Sequence, residues 1–157
     1  FFTVYGPWGR PDMAPMIFAK AIFSKKPIKV FNHGNMSRDF TFIDDTIEYI
    51  YRLIGKPPER NKTITQEYFS IDESWAPFRI LNVGNGNPTS LMDFVNLLES
   101  EIGIKAEKLF MEMKKEDVEK TAADITSITN LTGYTPQKLL VDGIKEFINW
   151  YKNFYFQ

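Results

Sequence analysis

The opening stretch, Phe1-Phe2-Thr3-Val4-Tyr5-Gly6-Pro7-Trp8-Gly9-Arg10-Pro11-Asp12-Met13-Ala14, constrains the fold more than any other. Phe1 to Tyr5 is a short run of aromatic and β-branched residues, suited to a buried strand. Gly6-Pro7 ends it, since Pro7 has no N–H to give a ladder and Gly6 tolerates a sharp bend. Trp8 to Pro11 then reads as a loop that places an indole and a guanidinium just beyond a strand, and Asp12 is expected to cap a helix. Strand, ligand-capable loop and helix in immediate succession are the building pattern of open α/β sheets, which bind ligands beyond their strand ends.

The rest of the chain repeats that alternation. A helix is expected from Met13 to Ser24, with Met16, Ile17 and Ala21 towards one face, and Lys25-Lys26-Pro27 breaks it. Ile28 to Phe31 alternates as a strand and Asn32 to Asn35 reads as a turn. A second strand, Arg38 to Ile43, leads into a helix opened by Asp44 or Asp45. Ile43, Ile47, Ile50, Tyr51 and Ile54 mark its apolar face.

Gly55 to Phe78 lack periodicity and read as a long surface loop. Arg79 to Val83 reads as a strand, followed by the turn Gly84 to Pro88. Ser90 and Asp93 start a helix whose inner face is Leu91, Phe94, Val95, Leu98 and Ile102. Another strand falls within Lys105–Met113, a short helix runs from Asp124 to Gly133, and a last helix spans about Leu139 to Phe154. Its inner face is Leu140, Ile144, Phe147, Ile148 and Tyr151. Helices alternating with strands place the chain in the α/β class.

Composition narrows the function. At 157 residues the chain is long enough to bury a core. A net charge of −1 gives no field for nucleic acid or an acidic membrane. There is no cysteine, which excludes disulfides and thiolate chemistry and fits a cytoplasmic setting. His33 is the only histidine and sits in a turn, so neither a Ser-His-Asp triad nor a histidine-rich metal site is expected. No apolar run approaches the ~20 residues of a membrane span, and no signal peptide is visible.

The first stretch, Arg38-Asp39-Phe40-Thr41-Phe42-Ile43-Asp44-Asp45, Asn82-Val83-Gly84-Asn85, Ala123-Asp124 and Gly133-Tyr134-Thr135-Pro136 together resemble the extended short-chain dehydrogenase/reductase family. They resemble most closely its NAD-dependent nucleotide-sugar epimerases acting on UDP-glucuronate. The resemblance covers nearly the whole chain, and it implies the carboxy-terminal portion of such an enzyme. Residues 1–157 would form one substrate-binding unit. Residues 1–5 and about 79–83 would be late strands of a Rossmann sheet whose amino-terminal half lies elsewhere. The abrupt apolar start without methionine fits that expectation of a fragment.

The family needs a glycine-rich phosphate loop for NAD and a Tyr-x-x-x-Lys pair whose tyrosinate takes the sugar hydroxyl proton. No such loop occurs in this sequence, and the resemblance implies that the catalytic pair lies upstream of Phe1. Tyr151 and Tyr155 lack the lysine, and Tyr51 is followed four residues later by Gly55. This chain alone is therefore expected to be inactive, with no catalytic residue of its own.

The resemblance implies substrate-binding roles instead. Thr3 and Arg10 would hold the sugar carboxylate, and Arg38 the diphosphate, through bidentate hydrogen bonds. Ile28, Val30 and Phe31 match the segment bordering the uracil, and Asp117 the acid that takes the ribose hydroxyls. Lys114 stands where it can meet a phosphate. Phe1 and Phe2 match residues beside the nicotinamide, with Phe1 offering a backbone N–H. Asp39, Asp44 and Asp45 read as caps, and Trp8 as packing against the neighbouring domain or stacking on a ligand.

One departure is Lys114-Lys115-Glu116, where the family usually has a glycine at position 116 and a glutamine or arginine within the motif. The partners implied are a UDP-sugar acid and a coenzyme-binding half, and a homodimeric parent is left open. Two rivals stand beside this reading. One is a UDP-glucuronate decarboxylase or another UDP-sugar epimerase; decarboxylases usually carry Asn-Thr-Tyr-Gly-Pro-Arg-Met in place of Thr3 to Gly9. The other is a non-catalytic nucleotide-sugar-binding remnant.

Overall fold

The computed structural model describes residues 1–60 and 75–156. Its elements run β1 (Thr3–Tyr5), α1 (Ala14–Phe23), β2 (Ile28–Val30), a 3-10 turn (Phe31–Gly34), β3 (Ser37–Arg38), β4 (Phe40–Phe42) and α2 (Ile43–Ile54). Beyond the undescribed segment come β5 (Thr89–Ser90), α3 (Leu91–Ile102), β6 (Lys108–Phe110), α4 (Thr126–Thr132) and α5 (Leu140–Tyr155). The class is α/β, and the strands pair two by two. β1 lies parallel to β4, with Thr3 opposite Phe40; β2 lies parallel to β6; β3 lies antiparallel to β5.

Three helices, α1, α3 and α5, close over β1, β2 and β4 to form the main core. The Phe40 and Phe94 rings stack at 4.2 Å, and Tyr5 meets both edge-on. Phe94 and Phe147 are fully buried, so truncating either to alanine costs about 3–5 kcal/mol. Helix α3 follows the expected pattern throughout. The Ser90 hydroxyl accepts from the N–H groups of Met92 and Asp93, the five expected apolar residues are buried, and Gly103 ends the helix at φ +79°. Helix α5 likewise buries Ile144, Phe147, Ile148 and Tyr151.

Several expectations need correction. Asp12 does not cap α1; its carboxylate is taken by Arg10 Nε at 2.7 Å, and Met13 holds the cap position without a side-chain bond. Ile17 faces out, and the inner face of α1 is Met16, Phe18, Ala19 and Ile22. The expected strand 38–43 is broken at Asp39 into β3 and β4, and Ile43 already belongs to α2. Of residues 79–83, Arg79 is in a β-bridge and 80–83 are in no strand. One bond, from the Phe2 N–H to the Val83 carbonyl at 2.9 Å, ties them to β1. The turn beyond is drawn away because Asp39 captures its N–H groups.

The largest reversal is α2. Its apolar stripe was expected to face the core. Instead Ile47 (53% exposed), Tyr51 (70%) and Ile54 (75%) face outward. The buried face is Asp45, Thr46 and Tyr49. Tyr49 packs with Val83 and Ile128 in a second small cluster, edge-on to Tyr134 at 5.2 Å. Asp45 is satisfied by the Tyr134 hydroxyl at 2.5 Å and by the N–H groups of Gln137 and Lys138. Three hydrogen bonds of this kind offset the cost of burying a carboxylate. Much of the expected loop 55–78 lies outside the described residues.

Candidate substrate site

Two groups of the expected residues assemble from distant parts of the chain. The first forms where β2 and β6 end together. The Met111 N–H donates to the Val30 carbonyl at 2.9 Å, and the His33 N–H to the Met111 carbonyl at 3.1 Å. This ladder sets Phe31 beside the Met111–Asp117 segment. Lys114 Nζ lies 4.5 Å from the centroid of the Phe31 ring, a cation–π contact. A turn, closed by the Asp117 N–H on the Lys114 carbonyl at 3.1 Å, then brings the Asp117 carboxylate to Arg38. The ion pair is 3.1 Å long and largely shielded from solvent on the arginine side.

Arg38 is fixed from three directions. Besides Asp117, its guanidinium donates to the carbonyls of Ser37 at 2.9 Å and Glu119 at 3.2 Å. Bonds between Ser37 and residues 119–121 lock that strand in place. Five donors on a guanidinium, with three of these bonds made here, leave capacity for an anion. Phe31, Arg38, Lys114 and Asp117 thus offer an aromatic face, two cations and a carboxylate in one neighbourhood. That set suits a base, phosphates and a diol.

Ile28 and Val30 are buried in the core, with 1% and 0% exposure. Their side chains do not reach this neighbourhood; they anchor the strand that presents Phe31.

The second group surrounds the end of β1. A cavity of about 440 Å³ is lined by Phe1, Phe2, Val4, Trp8, Arg10 and Ile43, among others. Arg10 is exposed and, among the described residues, pairs with Asp12 and, at 3.4 Å, the Met13 sulfur. Thr3 does not line this cavity; it stands half-buried opposite Phe40, two residues beyond Arg38. Register therefore sets Thr3 between Arg38 on one side and the Arg10 loop on the other.

A larger cavity, about 740 Å³, lies between α2 and α5, lined by Asp44, Asp45, Glu48, Asp142 and Glu146 beside Lys138 and Lys145. The Lys138 ammonium is already held by Glu146 at 2.6 Å, which raises its pKa. So many carboxylates repel a diphosphate, and size alone does not make this the site.

Four of the described tyrosines are held away from the ionised form a base needs. Burial pushes the Tyr5, Tyr49, Tyr134 and Tyr151 hydroxyls up from their ordinary value. Tyr134 is raised further by donating to Asp45. Among the described residues no group of three or more His, Cys, Asp or Glu is set to hold a metal.

Sequence reasoning missed the importance of Asp39. It caps no helix. Fully buried between β3 and β4, its carboxylate accepts from the N–H groups of Asn85 (2.8 Å), Gly86 (2.9 Å) and Ala123 (2.8 Å). It thereby ties the Asn82–Gly86 turn and the Ala123 segment to the residue after Arg38. Gly84 is required there, since a Cβ would run into Ala123 and come within 3.1 Å of the Asp39 carboxylate. The signal was present as an aspartate lodged between Arg38 and an aromatic strand.

Residues 1–66 match the family model described as the NAD dependent epimerase/dehydratase family. Over 156 residues it is 42% identical to the probable UDP-glucuronate 4-epimerase of Rhizobium meliloti, covering 99% of this chain and 46% of that protein. It is 39% identical over 159 residues to UDP-glucuronate 4-epimerase 1 of Arabidopsis thaliana, covering 99% of this chain and 36% of that one. The structure of UDP-glucuronic acid 4-epimerase from Bacillus cereus, in complex with UDP-glucuronic acid and NAD, superposes with a TM-score of 0.79 at 30% identity. That match covers 98% of this chain and 44% of the other. The chain therefore spans less than half the length of these relatives. Its fold is the corresponding part of a Rossmann-type epimerase.

Proposed function

We propose that this chain is the substrate-binding portion of an NAD-dependent UDP-glucuronate 4-epimerase. The observation that carries the reading is the meeting of Phe31, Arg38, Lys114 and Asp117, while Arg10 stands at the end of β1. A UDP-sugar acid needs an aromatic or apolar wall for the base, an acceptor for the ribose hydroxyls, cations for the diphosphate and a cation for the carboxylate. Phe31, Asp117, Arg38 with Lys114, and Arg10 with Thr3 meet those needs in that order. Asp39 fixes the first cluster in place.

The coenzyme would meet this chain only at the cavity beside β1. Its Phe1, Phe2, Val4 and Ile43 walls fit the flat, largely apolar face of a nicotinamide. Phe1 and Phe2 would border that ring. The rest of the dinucleotide requires a glycine-rich loop that this sequence does not contain. Bound NAD⁺ would supply the hydride acceptor at the sugar's C4. Thr3 and Arg10 hold the carboxylate still during that exchange, since a β-keto acid loses CO₂ when misaligned.

A coenzyme-binding half would cover the outward faces of this chain. The Ile47, Tyr51 and Ile54 stripe of α2 and the cavity residues Phe1, Val4 and Ile43 form apolar surfaces on either side of one helix start. Exposed apolar faces of this kind mark interaction surfaces. Residues 1–157 are one unit of a two-part enzyme in this reading, with β1 joining the partner sheet. The chain alone binds no dinucleotide and does not turn over.

The test is product identity. The protein assembled with its coenzyme half is given UDP-glucuronate, and products are followed by NMR. UDP-galacturonate supports the reading; release of CO₂ with a UDP-pentose would make it a decarboxylase.

A further inference from the structure

Trp8 is the bulkiest of the four non-glycine residues with positive φ among the described residues, at φ +60°. A side chain as large as indole rarely adopts that conformation, so something must hold it. The hold comes from α5. The Trp8 ring meets Phe154 edge-on at 4.8 Å and Trp150 at 5.4 Å. Trp150 in turn stacks on Phe154 at 5.5 Å and on the fully buried Phe147 at 6.2 Å. A continuous aromatic path therefore runs from the core to the loop.

The loop itself is folded tightly. Gly6 is at φ +137°, with Ile43 2.7 Å from where a Cβ would sit, and a Cβ on Gly9 would lie 3.2 Å from the Gly6 carbonyl. Arg10, two residues beyond Trp8, has no side-chain hydrogen bond to the core among the described residues. Its side-chain partners are Asp12 and Met13, within three residues of itself. Its position follows that of the loop, and Trp8 anchors the loop on α5.

We infer that Trp150 and Phe154 are positioning residues for Arg10, setting through Trp8 where the carboxylate-binding cation stands and so the preference for acid sugars. This rests on the reading of Arg10 as the carboxylate contact. Phe154 lies in the last turn of α5 and is half-exposed, so Phe154→Ala leaves the core intact.

The experiment combines hydrogen exchange with kinetics on the protein assembled with its coenzyme half. Phe154→Ala is expected to speed exchange at amides 6–13 while leaving the β1–β4 ladder protected. It should raise KM for UDP-glucuronate roughly three- to tenfold, a modest misplacement cost, with kcat and the KM for a neutral UDP-hexose little changed. Phe154→Tyr should restore both readouts. In an Arg10→Ala background Phe154→Ala should add no further loss.

Trp8→Gly, which relieves the backbone strain, should still loosen the loop because the ring is the anchor. Unchanged exchange in both Phe154→Ala and Trp8→Gly, with Arg10→Ala still selective for acid sugars, overturns the inference alone. If Arg10→Ala spares UDP-glucuronate, the reading of Arg10 fails and the effect on sugar preference fails with it.

Discussion

The Asp117 carboxylate lies 3.1 Å from the Arg38 guanidinium, across 79 positions of sequence. The pair joins a residue leaving β3 to one in the turn after β6. Each orients the other: Asp117 steadies the guanidinium, and Arg38 aims the carboxylate. In the proposed site one serves phosphate and the other ribose, both common to every UDP-sugar.

Arg38→Ala should therefore weaken all UDP-sugars alike in the assembled protein. Loss of charge-assisted hydrogen bonds costs about 1.5–3 kcal/mol, or roughly ten- to a hundredfold in affinity. Calorimetric titration with UDP, UDP-glucose and UDP-glucuronate checks this, and undiminished UDP affinity would remove Arg38 from the site.

Arg10→Ala should separate the ligands that Arg38→Ala does not. UDP-glucuronate should lose a similar factor, about ten- to a hundredfold, while UDP-glucose changes little. Equal losses for both would make Arg10 a phosphate ligand or a structural residue.

Asp39→Ala should be costly to the fold. It leaves the buried N–H groups of Asn85, Gly86 and Ala123 without their acceptor. Each unsatisfied buried group costs about 1–3 kcal/mol, so a loss of at least about 3 kcal/mol is expected in urea unfolding. Asp39→Asn should lie between, since an amide oxygen still accepts. A variant as stable as the wild type would refute the role given to this carboxylate.

Glu99 gives the fold a pH dependence. Burial raises its pKa, but hydrogen bonds from Lys105, Lys108 and the Ala106 N–H outweigh that and bring it down to about 2. Because the folded value is depressed, the contribution is full above the unfolded value near 4.5. It is lost as pH falls towards 2. By linkage it amounts to on the order of 3 kcal/mol. The stability gap between wild type and Glu99→Gln should thus shrink steadily from pH 5 to pH 2.5; a gap independent of pH would place the ion cluster outside the stability of the fold.

Much of this was legible in the sequence where one interaction dominates. The capped start, apolar face and glycine end of α3 all follow from local rules. The apolar residues of α5 were read correctly for the same reason. The failures share a cause: a side chain found a partner that no periodicity shows. Asp12 went to Arg10 instead of the helix cap. Asp39 went to three backbone groups over 40 residues away, splitting one expected strand in two.

In α2 the apolar stripe was identified correctly and given the wrong direction. Asp45 and Tyr49 have polar and aromatic partners in the 128–138 region, which turn the isoleucines outward. Of the site residues, the sequence resemblance named Phe31, Arg38, Lys114 and Asp117. It did not show that Ile28 and Val30 serve the core, nor that α5 holds the Arg10 loop.

The central claim is that this chain binds the sugar nucleotide while the coenzyme and the base come from elsewhere. The most direct measurement compares UDP-glucuronate turnover by the 157-residue chain alone, supplied with NAD, and by the protein assembled with its coenzyme half. The account predicts UDP-galacturonate from the assembled protein and none from the chain alone. Turnover by the isolated chain, or no epimerisation by the assembled protein, would contradict it.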